Sequence, residues 1–189
     1  LDKPDLATPG QWPESDDIAD YGLDEAMNRG ADVVRPHLNL GEAAAASRLG
    51  AFIANGIADY AEARDDLGRD ATSHLSENLT CGEISARTCW WAGQRAMEEG
   101  KAGAETFLKE IVWRDFAYHL MYHTPHIVDR NWREDWDRFP WNTDARRSEV
   151  RAWRRGRTGM AIVDAAMREM YVTGRMHNRA RMLVASYLT

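Results

Sequence analysis

Long apolar runs are missing from this 189-residue chain. No stretch approaches the roughly 20 residues needed to cross a bilayer as a helix. The first residues, LDKPDLATPGQWPESDD, have neither the basic nor the apolar region of a signal peptide. A soluble intracellular protein with no membrane partner is therefore expected. Cysteine is scarce too: Cys81 and Cys89 lie eight apart with no second pair. That spacing makes neither a zinc knuckle nor a disulfide framework, and it predicts free thiols in a reducing compartment. Strand-like alternation never lasts more than a few residues. There is no G-x-G-x-x-G, no P-loop, no internal repeat and no low-complexity tract. These absences point to an all-α chain.

What is present is a core-forming composition, 44% hydrophobic, with an uneven charge. The net charge is −6, but residues 1–100 hold 19 acids against 8 bases and residues 101–189 hold 11 acids against 16 bases. Six arginines fall between Arg146 and Arg157 against one acid, Glu149. A basic face on an acidic protein suits a phosphate-bearing partner. A solvated helix surface would account for the same run.

Residues 1–40 read as a linker, since they hold four of the six prolines and no lasting apolar period. From Gly41 the period becomes helical, with Leu49, Phe52, Ile53, Ile57 and Tyr60 at spacings of three and four. Thr80-Cys-Gly-Glu83 has the form of a capping box and predicts a helix from there to about Glu98. Further helices are expected over about 105–123 (stopped by Pro125), 144–155 (ended by Gly156), 162–173 (ended by Gly174) and at the C-terminal run. Residues 126–143 read as irregular and aromatic. The prediction is several helices of unequal length joined by long connections, not an up-down bundle.

That last run, TGRMHNRARMLVASYLT (173–189), mixes a histidine, an asparagine and three arginines with apolar residues. A helix so apolar is expected to be largely buried, and buried arginines are costly without an anion to meet them. A polyanionic ligand would supply it. Glu110, Trp113 and Arg114 share one helix face through their spacings of three and four. Together they suit a planar, hydrogen-bonding, phosphate-bearing ligand: indole for stacking, carboxylate for a base edge, guanidinium for phosphate. An amphipathic helix with an ordinary Glu–Arg pair fits as well. Tyr60 and Arg64 stand one turn apart, followed by Thr72, Ser73, His74, Leu75 and Ser76. Closely spaced hydroxyls with free amides can wrap a pyrophosphate, and they can also simply cap a helix. His119, His123 and His126 have partial zinc spacing, but Pro125 ends the helix before His126; ordinary core or surface histidines are expected and no metal. Eight tryptophans can be core anchors or an electron-hopping path.

Six ordered stretches go further: DYAEARD (59–65), TSHLSENLTCGEISART (72–88), FLKEIVWRDF (107–116), FPW (139–141), AWRRGRTGMAIVDAAMREM (152–170) and TGRMHNRARMLVASYLT (173–189). In this order they resemble the FAD-binding helical domain of the DNA photolyase/cryptochrome family. The wording of WRDFAYHLMYHTP and YVTGRMHNRARM is most similar to class III cyclobutane pyrimidine dimer photolyases.

The resemblance implies an irregular multi-helix fold that holds FAD and repairs DNA containing pyrimidine dimers by light-driven electron transfer to a flipped-out lesion. It implies that Tyr60, the Thr72–Ser76 turn (Thr72, Ser73, His74, Leu75, Ser76) and Arg114 contact FAD. Arg64 and Arg179 would lie near DNA, and Glu110, Trp113, Asn178 and Met182 would meet the lesion. Trp141 matches the outermost member of an electron-transfer chain. The family usually has tryptophan where this chain has Arg175, and Tyr-Pro where it has Met160-Ala161. The resemblance further implies a fragment: 1–40 as interdomain linker and 41–189 as the first part of the FAD domain, inactive alone. An antenna chromophore of folate or deazaflavin type would then sit in a separate α/β domain. A monomer is expected, cytoplasmic and nucleoid-associated when on DNA. The alternative within the same family is a cryptochrome-type photoreceptor that binds FAD without repair. A helical scaffold with neither cofactor nor catalysis is the third possibility.

Overall fold

A computed structural model describes residues 7–23 and 25–189. The first six residues of the expected linker, and Asp24, lie outside the described residues. The described chain is helical, with no strand. It contains α1 (Gly30–Val34), α2 (Glu42–Asn55), α3 (Tyr60–Ala63), α4 (Ser76–Thr80), α5 (Ala86–Glu98), α6 (Ala104–His123), α7 (Ser148–Arg154), α8 (Ala161–Thr173) and α9 (Asn178–Ser186). Short 3-10 turns fill several connections. Among the described residues no helix is long and apolar enough to cross a membrane.

The apolar stripe on α2 buries Ala45, Leu49 and Phe52. It meets α5 through Cys89, Ala92 and Ala96, and α6 through Phe107 and Ile111. Phe52, Tyr60 and Phe107 form the aromatic centre, with ring centroids 5.1–6.1 Å apart. A second, smaller cluster joins α8 and α9: Val163, Ala166, Met167, Met176, Ala180 and Val184. Trp153 of α7 closes it, its indole N–H donating to the Val184 carbonyl at 2.8 Å. α8 ends at Gly174, whose left-handed φ of 74° reverses the chain toward α9. Before α2, α1 packs on α8.

Two expectations change in detail. The predicted capping box at Thr80 is not one. Thr80 ends α4, its hydroxyl donating to the Ser76 carbonyl at 2.8 Å. α5 begins later, where the Ser85 hydroxyl accepts from the Thr88 amide at 3.0 Å. Glu83 is used elsewhere, accepting from the Asn78 side-chain amide at 2.6 Å. The helical period from Gly41 also breaks at Gly56, so Ile57 and Tyr60 enter the core from a turn and from α3.

Candidate functional site

Four charged side chains from three parts of the fold stand in a row. Arg179, in the first turn of α9, grips Asp65 with two parallel hydrogen bonds: Nε to Oδ1 at 2.8 Å and Nη2 to Oδ2 at 3.0 Å. Asp65 Oδ1 is 3.7 Å from Arg64 Nε. On its other side Arg64 donates through Nη1 to Glu110 Oε1 on α6. Tyr60 lies beneath, with the Arg64 guanidinium 5.4 Å from its ring centroid. The placement follows from the helices: Tyr60 and Arg64 are one turn apart, and Glu110 sits at the edge of the α6 face that buries Phe107 and Ile111. The hydrogen bond from Arg179 holds the Asp65 carboxyl below the usual carboxylate range. The Glu110 hydrogen bond raises the Arg64 guanidinium, and burial pushes the Tyr60 phenol up.

The structure thus brings together Tyr60, Arg64, Glu110 and Arg179 from the sequence-predicted residues. Met182 joins them, its sulfur 3.9 Å from Arg179 Nη1. Asn178 is exposed at the start of α9, and Trp113 is 59% exposed on α6, edge-on to Phe116 at 5.6 Å. Arg114 is not part of the row. It donates to the Leu79 carbonyl at 3.5 Å and the Tyr118 hydroxyl at 3.3 Å. Trp141 stands apart in an aromatic group with Trp136 and Phe139, its indole N–H on the Trp136 carbonyl at 2.9 Å.

The Thr72–Ser76 turn is held from behind. His74 adopts a left-handed φ of 50°, and its carbonyl accepts from Arg48 Nη1 at 2.8 Å. The same Arg48 nitrogen reaches Glu77 Oε1 at 2.8 Å and Asn78 Oδ1 at 2.6 Å. Glu77 is gripped a second time by Arg175, whose Nε donates to Oε2 at 3.0 Å and whose Nη2 donates to Oε1. At the position where the family usually has an indole, this chain therefore has a guanidinium committed to Glu77. Arg48, Asp65, Glu77, Asn78 and His177 were not singled out by sequence. Arg48 left one signal, as a lone cation flanked on α2 by the buried Ala45, Leu49 and Phe52.

One expectation about the C-terminal run is corrected. Its arginines are not buried cations in want of an external polyanion. α9 buries only Ala180 and Val184, Arg179 and Arg181 are exposed, and Arg175 and Arg179 already meet carboxylates of this chain. His119 and His123 lie with ring centroids 4.4 Å apart, and His119 stacks on Phe116. Among the described residues no three metal-ligating side chains converge. An open concavity of about 550 Å³ involves residues 127–131 and Asp137, none of which belongs to the row.

The donor set fits a dinucleotide. The hydroxyls of Thr72, Ser73 and Ser76 make no hydrogen bond to any described residue. They line a turn whose backbone is fixed by Arg48, so donors are free and preorganised. A buried polar atom is orphaned at the start of α9: His177 Nδ1 accepts from the Arg179 amide at 3.1 Å, which puts the neutral ring's proton on Nε2, and Nε2 is buried without a partner. Such a donor costs about 1–3 kcal/mol until something accepts from it.

Known proteins give the same answer. Residues 107–189 match the family described as the FAD binding domain of DNA photolyase. The chain is 39% identical over 184 residues to a deoxyribodipyrimidine photo-lyase of Agrobacterium fabrum, covering 97% of this chain and 38% of that protein. A crystal structure of a bacterial class III photolyase from Agrobacterium tumefaciens superposes with a TM-score of 0.86 at 38% identity, over 97% of this chain and 38% of that one. A Synechocystis cryptochrome structure superposes at 0.71 with 31% identity, over 80% of this chain and 32% of its own. The chain spans between about a third and two fifths of the length of these relatives. With this helical architecture and these similarities, the chain belongs to the DNA photolyase/cryptochrome family and corresponds to part of its FAD-binding helical domain.

Proposed function

We propose that residues 41–189 are a portion of the catalytic domain of a deoxyribodipyrimidine photo-lyase, which uses light to split cyclobutane pyrimidine dimers in DNA. The observation that carries this reading is the row Arg179–Asp65–Arg64–Glu110, exposed at its Arg179–Asp65 end and half-buried at Arg64 and Glu110, beside Tyr60 and Met182. It sets phosphate-binding guanidiniums next to a carboxylate able to accept from a base edge. FAD, when bound and reduced, would supply the light-driven electron that opens the cyclobutane ring and would take it back once the ring is split.

The chain's own side chains bind and orient. Tyr60, Arg114 and the Thr72, Ser73, His74, Leu75 and Ser76 turn hold the dinucleotide. Arg64 and Arg179 face the DNA backbone, with Arg179 taking a phosphate. Glu110 accepts from the flipped pyrimidine edge, the exposed indole of Trp113 packs against its rings, and Asn178 and Met182 line the same side. Extruding a base costs a few kcal/mol, and less for a damaged, poorly stacked one, so the lesion is favoured before any contact is made. Trp141, at the surface, is the outer end of an electron path. The protein works as a cytoplasmic monomer on the nucleoid, with a folate or deazaflavin antenna in a separate domain.

The second reading, a photoreceptor that binds FAD without repair, is favoured by the likeness to the Synechocystis cryptochrome. Illumination of the full-length, flavin-loaded protein with dimer-containing DNA separates the two. Loss of dimers supports repair. Bound, reduced flavin with dimers intact supports the receptor. Well-folded but colourless protein removes both.

A further inference from the structure

Within the repair reading, we propose that Asp65 is a specificity-determining residue, which couples lesion recognition at Glu110 to the phosphate grip of Arg179. The row contains two guanidiniums and two carboxylates, so its charge sums to zero. Every cation in it is already engaged: Arg179 by the fork to Asp65, Arg64 by Glu110 and, at 3.7 Å, by Asp65. The outer pair is at the surface, with Arg179 44% and Asp65 48% exposed. A pair there is open to solvent and screened by salt. It does set how the surface meets DNA.

Affinity for undamaged duplex grows with the number of phosphates neutralised, and each adds about 0.9 to the salt slope. A guanidinium held by its own carboxylate is withheld from that count, and the carboxylate repels the approaching backbone. Undamaged DNA is thus discouraged by a built-in anion. A flipped dimer changes the balance. When Glu110 accepts from the base edge, Arg64 loses its principal partner. Arg64 then takes up Asp65, whose Oδ1 is already adjacent, and Arg179 is released to a phosphate. The lesion pocket and the backbone contact are linked through four side chains with two pairings: Arg179–Asp65 with Arg64–Glu110, or Arg64–Asp65 with Arg179 on phosphate.

The test measures dissociation constants of the flavin-loaded protein for a duplex carrying one cyclobutane dimer and for the same duplex undamaged, across a salt series. In Asp65→Asn, Arg179 is free without a lesion. The expected result is about 3–10-fold tighter binding of undamaged duplex with a salt slope steeper by about 1, while dimer affinity changes less, so discrimination falls. Adding Arg179→Gln to Asp65→Asn abolishes the gain. An unchanged or increased discrimination ratio in Asp65→Asn overturns the proposal. Should that variant lose its flavin, Arg179→Gln alone decides. The proposal requires a greater loss for dimer DNA than for undamaged DNA, and equal losses refute it. Wild-type protein that shows no preference for dimer DNA would instead sink the repair reading itself.

Discussion

At the scale of single residues, chemistry was legible and partnership was not. Glu110 and Arg64 were both marked by type and spacing, but their pairing across 46 residues of sequence is a product of folding. Glu110→Ala is expected to lower repair yield about tenfold, the worth of one charge-assisted hydrogen bond, with flavin content near wild type. Purification of a flavin-free variant would reassign that side chain to the cofactor. Trp141 sits in a surface aromatic group and does not touch the row. Trp141→Phe should therefore slow photoreduction of oxidised flavin several-fold and spare repair by pre-reduced protein. Transient absorption checks the first, and dimer loss under anaerobic light checks the second.

At the scale of elements, helix existence followed from apolar period and helix ends followed from local contacts. Thr80-x-x-Glu83 has the sequence of a capping box, yet Ser85 caps α5 because Glu83 is drawn to the buried Asn78. α6 has apolar residues on more than one face, with charged residues between them. Its first half buries Ala104, Phe107, Leu108 and Ile111, while Val112, Trp113 and Phe116 remain exposed. The start of α6 is set by a close approach: a Cβ on Gly103 would stand 2.0 Å from the Ile57 carbonyl oxygen and 3.0 Å from the Tyr60 amide nitrogen. Backbone cannot rotate away as a side-chain tip does. Gly103→Ala is expected to cost about 1–3 kcal/mol in chemical denaturation and to loosen flavin binding through Tyr60. A variant as stable as wild type would show that the two segments separate freely.

At the scale of the whole molecule, two apolar clusters share no buried residue, and carboxylates from one side hold guanidiniums from the other. Glu77 is the more protected of these links, lying between Arg48 and Arg175. Burial alone would raise its carboxyl, but hydrogen bonds from Arg175 and Arg48 bring it below its ordinary value of 4.5. A lowered carboxylate stabilises the fold fully above its unfolded value and loses that contribution as pH falls through the folded one. Stability should therefore drop as pH falls below about 4.5. Glu77→Gln is expected to cost about 1–3 kcal/mol at neutral pH, to flatten that acid limb and to broaden thermal unfolding as the clusters uncouple. An unaltered acid limb would show that the link contributes nothing.

The amino-acid sequence by itself determined the helical class, the positions of most helices, the family and the residue types available for chemistry. These depend on periodicity, punctuation by Gly and Pro, and ordered local motifs, all properties of short stretches of chain. Only the tertiary structure decided which charges meet. The sequence suggested inward arginines awaiting an external polyanion, whereas Arg175 and Arg179 find carboxylates 98 and 114 residues away. Ion pairing depends on distance in space, and the helix packing that fixes this distance is carried by apolar side chains that hold no record of the charges beside them.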